Sequence, residues 1–138
     1  MIFMLDTNIC VQIIRRRAPY ALQRLTEQTI DTVCLSSLTV AELEYGVAKS
    51  SQPAQNQRAL EQFLLPLAIV PFDEQDAQVY GWVRAALEAQ GQPIGAIDTL
   101  LAAQALRHAL TLVTNNVREF ARVPGLQLED WTLSPPAE

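Results

Sequence analysis

Lysine is all but missing from this chain: Lys49 is the only one, and the ten basic residues are otherwise arginines, set against fifteen acids for a formal net charge of −5 over 138 residues. That balance excludes a broadly basic surface of the kind that binds nucleic acid by phosphate neutralisation alone. Histidine is as scarce, with His108 alone. The two cysteines, Cys10 and Cys34, lie in apolar stretches with no CxxC or Cys/His spacing around them, so neither a zinc site nor a disulfide framework is expected. Both read as reduced, buried thiols. No apolar run approaches the ~20 residues that span a bilayer, and the opening Met1-Ile2-Phe3-Met4-Leu5 meets Asp6 before a signal-peptide core forms. A cytoplasmic protein with no membrane attachment is therefore expected.

What is present fits one packed domain. Hydrophobic residues make up 49 % and charged residues 18 %, a balance that excludes disorder and low-complexity arrays. The expected domain covers residues 1–132, followed by a short tail at 133–138. Residues 2–5 are too few for a helix and read as a buried strand ended by Asp6-Thr7-Asn8. Helices are expected over 9–16, from Pro19 to about Thr29, over 38–50 after Ser36-Ser37, following Pro53, over 73–90 up to Gly91, and over 95–109. Further strands are expected at 32–35, 68–70 before Pro71, 111–114 and 126–128, with a helical turn at 117–120. Five strands alternating with helices predict an α/β fold with a mainly parallel sheet covered on both faces, whose function gathers outside the carboxyl ends of the strands.

Four acids fall at that rim. Asp6 ends strand one, Glu42 opens the helix after strand two, Asp98 opens the apolar helix before strand four, and Glu119 follows strand four. Each has a local alternative. Asp6 could satisfy its own turn. Glu42 completes a capping box with Thr39. Asp98 could cap its helix, and Glu119 could pair with Arg118 or Arg122. Their coincidence weighs against four separate accounts, because two like charges ~4 Å apart repel by about 4 kcal/mol at an effective dielectric near 20. A divalent cation reverses that sign, and oxygen ligands select Mg²⁺, with Mn²⁺ able to substitute, over zinc. One ion, or two ~3.5 to 4 Å apart, would polarise a phosphate oxygen and activate water. Thr7, Asn8, Thr114 and Asn115 at the same rim suit either positioning of water and phosphate or simple turn chemistry. Arg15, Arg16, Arg17, Arg118 and Arg122 flank the pocket segments, as RNA contacts or as solvated surface. His108 reads as structural, complementing a helix C-terminus, and Trp82, Trp131, Phe63 and Phe72 read as core or interface.

Met4-Leu5-Asp6-Thr7-Asn8-Ile9 resembles the opening of PIN domains, Glu42-Leu43-Glu44-Tyr45-Gly46 their second acidic motif, and Ile94-Gly95-Ala96-Ile97-Asp98 with Leu101-Ala102-Ala103 their third. The stretch from Leu112 to Leu126, followed by Glu129-Asp130-Trp131, is similar to one subgroup of the toxins of VapBC toxin-antitoxin pairs. The resemblance runs nearly end to end, in order. It implies a three-layer α/β/α fold, Mg²⁺-dependent RNA cleavage, homodimerisation and inhibition by a cognate VapB-type antitoxin. It suggests initiator tRNA as the substrate, cut in its anticodon loop. Carried over by position, Asp6, Glu42 and Asp98 form the acidic core. One departure is Asn116, where many PIN domains have Asp, so the fourth acid is either absent or supplied by Glu119.

Other chemistries fit less well. A haloacid-dehalogenase-like phosphatase needs a second Asp two residues after the first, where Asn8 stands, and a receiver domain needs a lysine near its last strands, whereas Lys49 is elsewhere. A PIN-like binding protein that acts only through its partner is the remaining alternative, with Asn116 in its favour.

Overall fold

The three inner strands alternate between two cores. In the computed structural model, which describes residues 1–29 and 31–134, the sheet consists of β1 (Phe3–Leu5), β2 (Val33–Ser36), β3 (Ala68–Val70), β4 (Thr111–Val113) and β5 (Gln127–Glu129). Residues 135–138 of the expected tail lie outside the described residues. Leu5, Val33, Leu35 and Val113 pack into one cluster, while Met4, Cys34 and Leu112 pack into another. Successive strand side chains point to opposite faces, so a strand apolar at every position needs a layer on each side.

Those layers are helical. The first core is covered by α1 (Thr7–Ile14), α2 (Pro19–Thr26), α3 (Ser37–Ala48) and α4 (Pro53–Leu64), which contribute Ile9, Ala21, Leu43 and Leu60. The second is covered by α5 (Glu74–Ala89) and α6 (Ala96–Arg107), with α7 (Val117–Phe120) below, contributing Leu87, Ala102, Ala103 and Phe120. The result is the expected α/β/α arrangement, and the sheet is parallel throughout in the order β3-β2-β1-β4-β5.

That order fixes where a site can form. The chain leaves β1 toward β2 and β3 on one side, then crosses back to place β4 and β5 on the other. The reversal lies between β1 and β4, and a crevice opens there at the carboxyl ends of the strands. The element bounds differ from expectation by up to three residues, most usefully at α1. It begins at Thr7 rather than residue 9 because Asp6 itself is the N-cap. Cys10 and Cys34 are free and buried, and burial pushes the Cys34 thiol up to about 11. No helix among the described residues is long and apolar enough to cross a membrane.

α5 and α6 are joined through a buried carboxylate. Asp73 and Asp76 form a capping box at the start of α5, and Arg107 at the end of α6 donates to both. His108, the C-cap of α6, places its Nε2 3.5 Å from the same Asp76 oxygen, consistent with a structural role. Trp131 is fully buried, stacking edge-on against Phe3 at 5.1 Å. Trp82 is 66 % exposed, so it is not a core residue. It lies on the outer face of α5, one residue before the buried Val83, where a bulky side chain has no core to enter.

Candidate functional site

Asp6 follows β1 directly and meets two donors at once. The Ile9 backbone N–H donates to Oδ1 at 2.8 Å and the Thr114 hydroxyl to Oδ2 at 2.5 Å. Only 4 % of the residue is exposed. Burial penalises its charged form and pushes the carboxyl up to about 6, against the pull of both hydrogen bonds, with the negative charges of Asp98 and Asp130 adding to the rise. Thr114 also accepts from the Asn116 N–H at 2.9 Å, so one buried hydroxyl links the ends of β1 and β4.

Glu42 is presented by the second turn of α3. It is not the reciprocal half of a capping box: Ser36 caps α3 through the Leu38 N–H, and Glu42 Oε1 instead accepts from the Thr7 hydroxyl at 2.7 Å. The Thr7 and Thr39 hydroxyls are 3.3 Å apart. A hydroxyl has one proton to give, so with that of Thr7 committed to Glu42, buried Thr39 donates to Thr7. Glu44, two residues on, is exposed.

Asp98 lies in the first turn of α6, whose N-cap is Gly95, so it faces the favourable end of the helix dipole without serving as the cap. Its carboxyl is raised above the ordinary range, first by burial and then by the charges of Glu119 and Glu42. Glu119 does not pair with Arg118 or Arg122 among the described residues; Asn116 Nδ2 donates to its Oε2 at 2.9 Å.

Asp6, Thr7, Asn8, Glu42, Asp98, Asn115 and Asn116 line one open cleft of about 560 Å³. Asn8 and Asn115 are joined across it by a 2.9 Å hydrogen bond. Asn116 thus forms part of the wall, while Glu119 stands one hydrogen bond away from it. Among the described residues no three acidic, histidine or cysteine side chains are gathered closely enough to clasp one ion as placed. The carboxylates ring the cleft, with Glu42 held by Thr7 and Glu119 by Asn116. Of the flanking arginines, Arg15, Arg16, Arg17 and Arg118 are exposed, and Arg122 donates to the Pro93 carbonyl.

Two polar residues had no site role in the sequence, where Thr39 was only a capping-box partner of Glu42 and Asp130 only part of a family motif. Thr39 stands three positions before Glu42, on the same face of α3, and that i,i+3 spacing was the available signal. Asp130 follows β5 as Asp6 follows β1, and the rule that picked out Asp6 applies to it equally.

An α/β/α fold with an acidic, oxygen-lined cleft at the reversal of a parallel sheet defines a class suited to phosphate chemistry with a divalent ion. The chain belongs to the PIN domain family, whose model matches residues 3–126. It is 40 % identical over 129 residues to the tRNA(fMet)-specific endonuclease VapC of Salmonella typhimurium, covering 94 % of this chain and 97 % of that one. It is 44 % identical over 132 residues to Ribonuclease VapC2 of Rickettsia felis, covering 95 % and 98 %. Among solved structures, the DNA-bound VapBC of Salmonella typhimurium superposes with a TM-score of 0.90 at 40 % identity, covering 95 % of this chain and 98 % of that one. PIN-domain nucleases use a divalent metal ion, and the all-oxygen acidic groups of this cleft fit one.

Proposed function

We propose that the protein is a Mg²⁺-dependent endoribonuclease, the toxin of a type II toxin-antitoxin pair, with residues 1–132 as its functional domain. The carrying observation is the convergence of Asp6, Glu42 and Asp98, from three separate elements, on one cleft at the switch point of the sheet. These three carboxylates would hold the ion, with Glu119 acting on the same cleft through Asn116. Mg²⁺, or Mn²⁺ in its place, supplies positive charge to the phosphate oxygens and lowers the pKa of water when bound.

The chain's own groups do the rest. Thr114 and the Ile9 N–H fix the Asp6 carboxylate, and the Thr39–Thr7 pair fixes Glu42, so the acids enter the reaction already oriented. Thr7, Asn8, Asn115 and Asn116 offer hydroxyl and amide groups to the scissile phosphate and to the attacking water. Water attacks phosphorus, a P–O ester bond breaks, a cleft carboxylate takes the water's proton, and a proton from solvent goes to the departing oxygen.

The relatives' names point to initiator tRNA as the substrate. The VapBC neighbours support a VapB-type antitoxin as the inhibitory partner, and homodimerisation follows from the resemblance. The test is cleavage of initiator tRNA by purified, antitoxin-free protein. Mg²⁺ should support cutting, EDTA should stop it, and Asp6→Asn and Asp98→Asn should each abolish it without unfolding the protein. Wild-type rates in either variant would remove the assignment.

A further inference from the structure

A second groove runs out of the acidic cleft, sharing Val11 and Glu42 with it. It has a volume of about 160 Å³, an apolar floor that includes Leu43 and Val47, and two cations, Arg15 and Lys49. Lys49 is the chain's only lysine, and its Nζ lies 4.9 Å from the centre of the ring of Tyr45, which stands four residues before it and is 66 % exposed. Gly46 lines the same groove from the interior of α3. Glycine there costs the helix about 1 kcal/mol relative to alanine. Yet no atom lies within 4 Å of where a Cβ would stand, so nothing in this chain requires its absence. The missing side chain leaves room for something outside the chain.

We propose that this groove seats the RNA nucleotide adjacent to the scissile phosphate, with its base on Tyr45 and the apolar floor and its phosphate on Lys49 and Arg15. The inference rests on the ribonuclease reading above. In a chain of net charge −5, cations beside an acidic cleft are where a polyanion finds relief from repulsion. An exposed aromatic ring beside them is how unpaired nucleotides are held, since every base has a stacking face. The groove's continuity with the cleft sets the register: a nucleotide here is the neighbour of one held at Glu42.

The experiment measures steady-state cleavage of an RNA hairpin with an unpaired loop, in Mg²⁺, over a KCl series. Tyr45→Ala should raise KM on the order of tenfold while Tyr45→Phe keeps the wild-type value. Lys49→Gln should make the plot of log kcat/KM against log salt shallower by about 0.7, the loss of one single-strand phosphate contact. Gly46→Leu should raise KM without lowering Tm, because it fills the groove and improves the helix. If wild type cleaves the hairpin and these variants match its KM and salt slope, the proposal is overturned, and escape of the same variants from antitoxin inhibition would give the groove to the protein partner. A wild type that cuts no RNA in Mg²⁺ would instead remove the ribonuclease reading itself.

Discussion

Replacing Asp6 by Asn should stabilise the fold in EDTA, although it destroys activity. The carboxyl is raised from 3.8 to about 6 in the folded protein. A folded pKa above the unfolded one means that the native state holds a proton that the unfolded state has released. The group's relative contribution is therefore fully present below pH ~4 and lost as pH rises through ~6. Two pKa units correspond to about 3 kcal/mol of destabilisation near neutral pH. An amide at 6 removes the charge but cannot match both hydrogen bonds of the carboxylate, so a net gain of about 1 to 3 kcal/mol is expected, or about 3 to 9 °C in Tm for a chain of this size. The assay is thermal unfolding of both proteins in EDTA from pH 4 to 8, where the difference should be largest at pH 7 and above and shrink toward pH 4. Mg²⁺ at ten times its Kd should raise wild-type stability by about 1.4 kcal/mol and leave the variant unmoved. A variant that melts at or below wild type throughout in EDTA would refute the idea that charge burial at Asp6 opposes folding.

Other substitutions test the supporting contacts. Glu119→Gln should weaken Mg²⁺-dependent cleavage about tenfold, roughly 1.4 kcal/mol of transition-state stabilisation, while exposed Glu44→Gln stays near wild type across the same Mg²⁺ titration. Thr114→Val leaves a buried Asp6 oxygen without its hydroxyl partner and should cost about 1 to 3 kcal/mol in urea unfolding at pH 7, with Thr114→Ser restoring most of it. Thr39→Val should shift the Mg²⁺ concentration for half-maximal cleavage upward while Thr39→Ser does not, because only the serine can still donate to Thr7. If both Thr39 variants behave alike, that hydroxyl has no part in holding Glu42.

What the sequence made legible followed periodicity and strand ends. β3 and α7 fall at their expected residues because Pro71 and the short polar run before Val117 punctuate them sharply. Asp6, Glu42 and Asp98 could be grouped because parallel sheets bring the carboxyl ends of strands together. The partners that hold these acids were not legible as pairs: Thr7 reaches Glu42 across 35 positions and Thr114 reaches Asp6 across 108. No local pattern encodes which hydroxyl faces which carboxylate at such separations. Of the two readings of Trp82, core and interface, exposure excludes the core one, which only the helix's rotation against its neighbours could have decided.

The strand order carries a consequence for when the cleft comes into being. β1 is made first, yet it sits at the centre of the sheet, and its β4 neighbour begins only at Thr111. Synthesis delivers residues in order, so a growing chain that has released β1, β2 and β3 still lacks Asp98, Thr114 and the wall at Asn115 and Asn116. Asp6 at that stage has Glu42 but lacks its hydroxyl partner and the carboxylates of Asp98 and Asp130. The acidic cleft is therefore complete only once the chain through Asn116 has been made, late in synthesis although its first carboxylate is among the earliest residues.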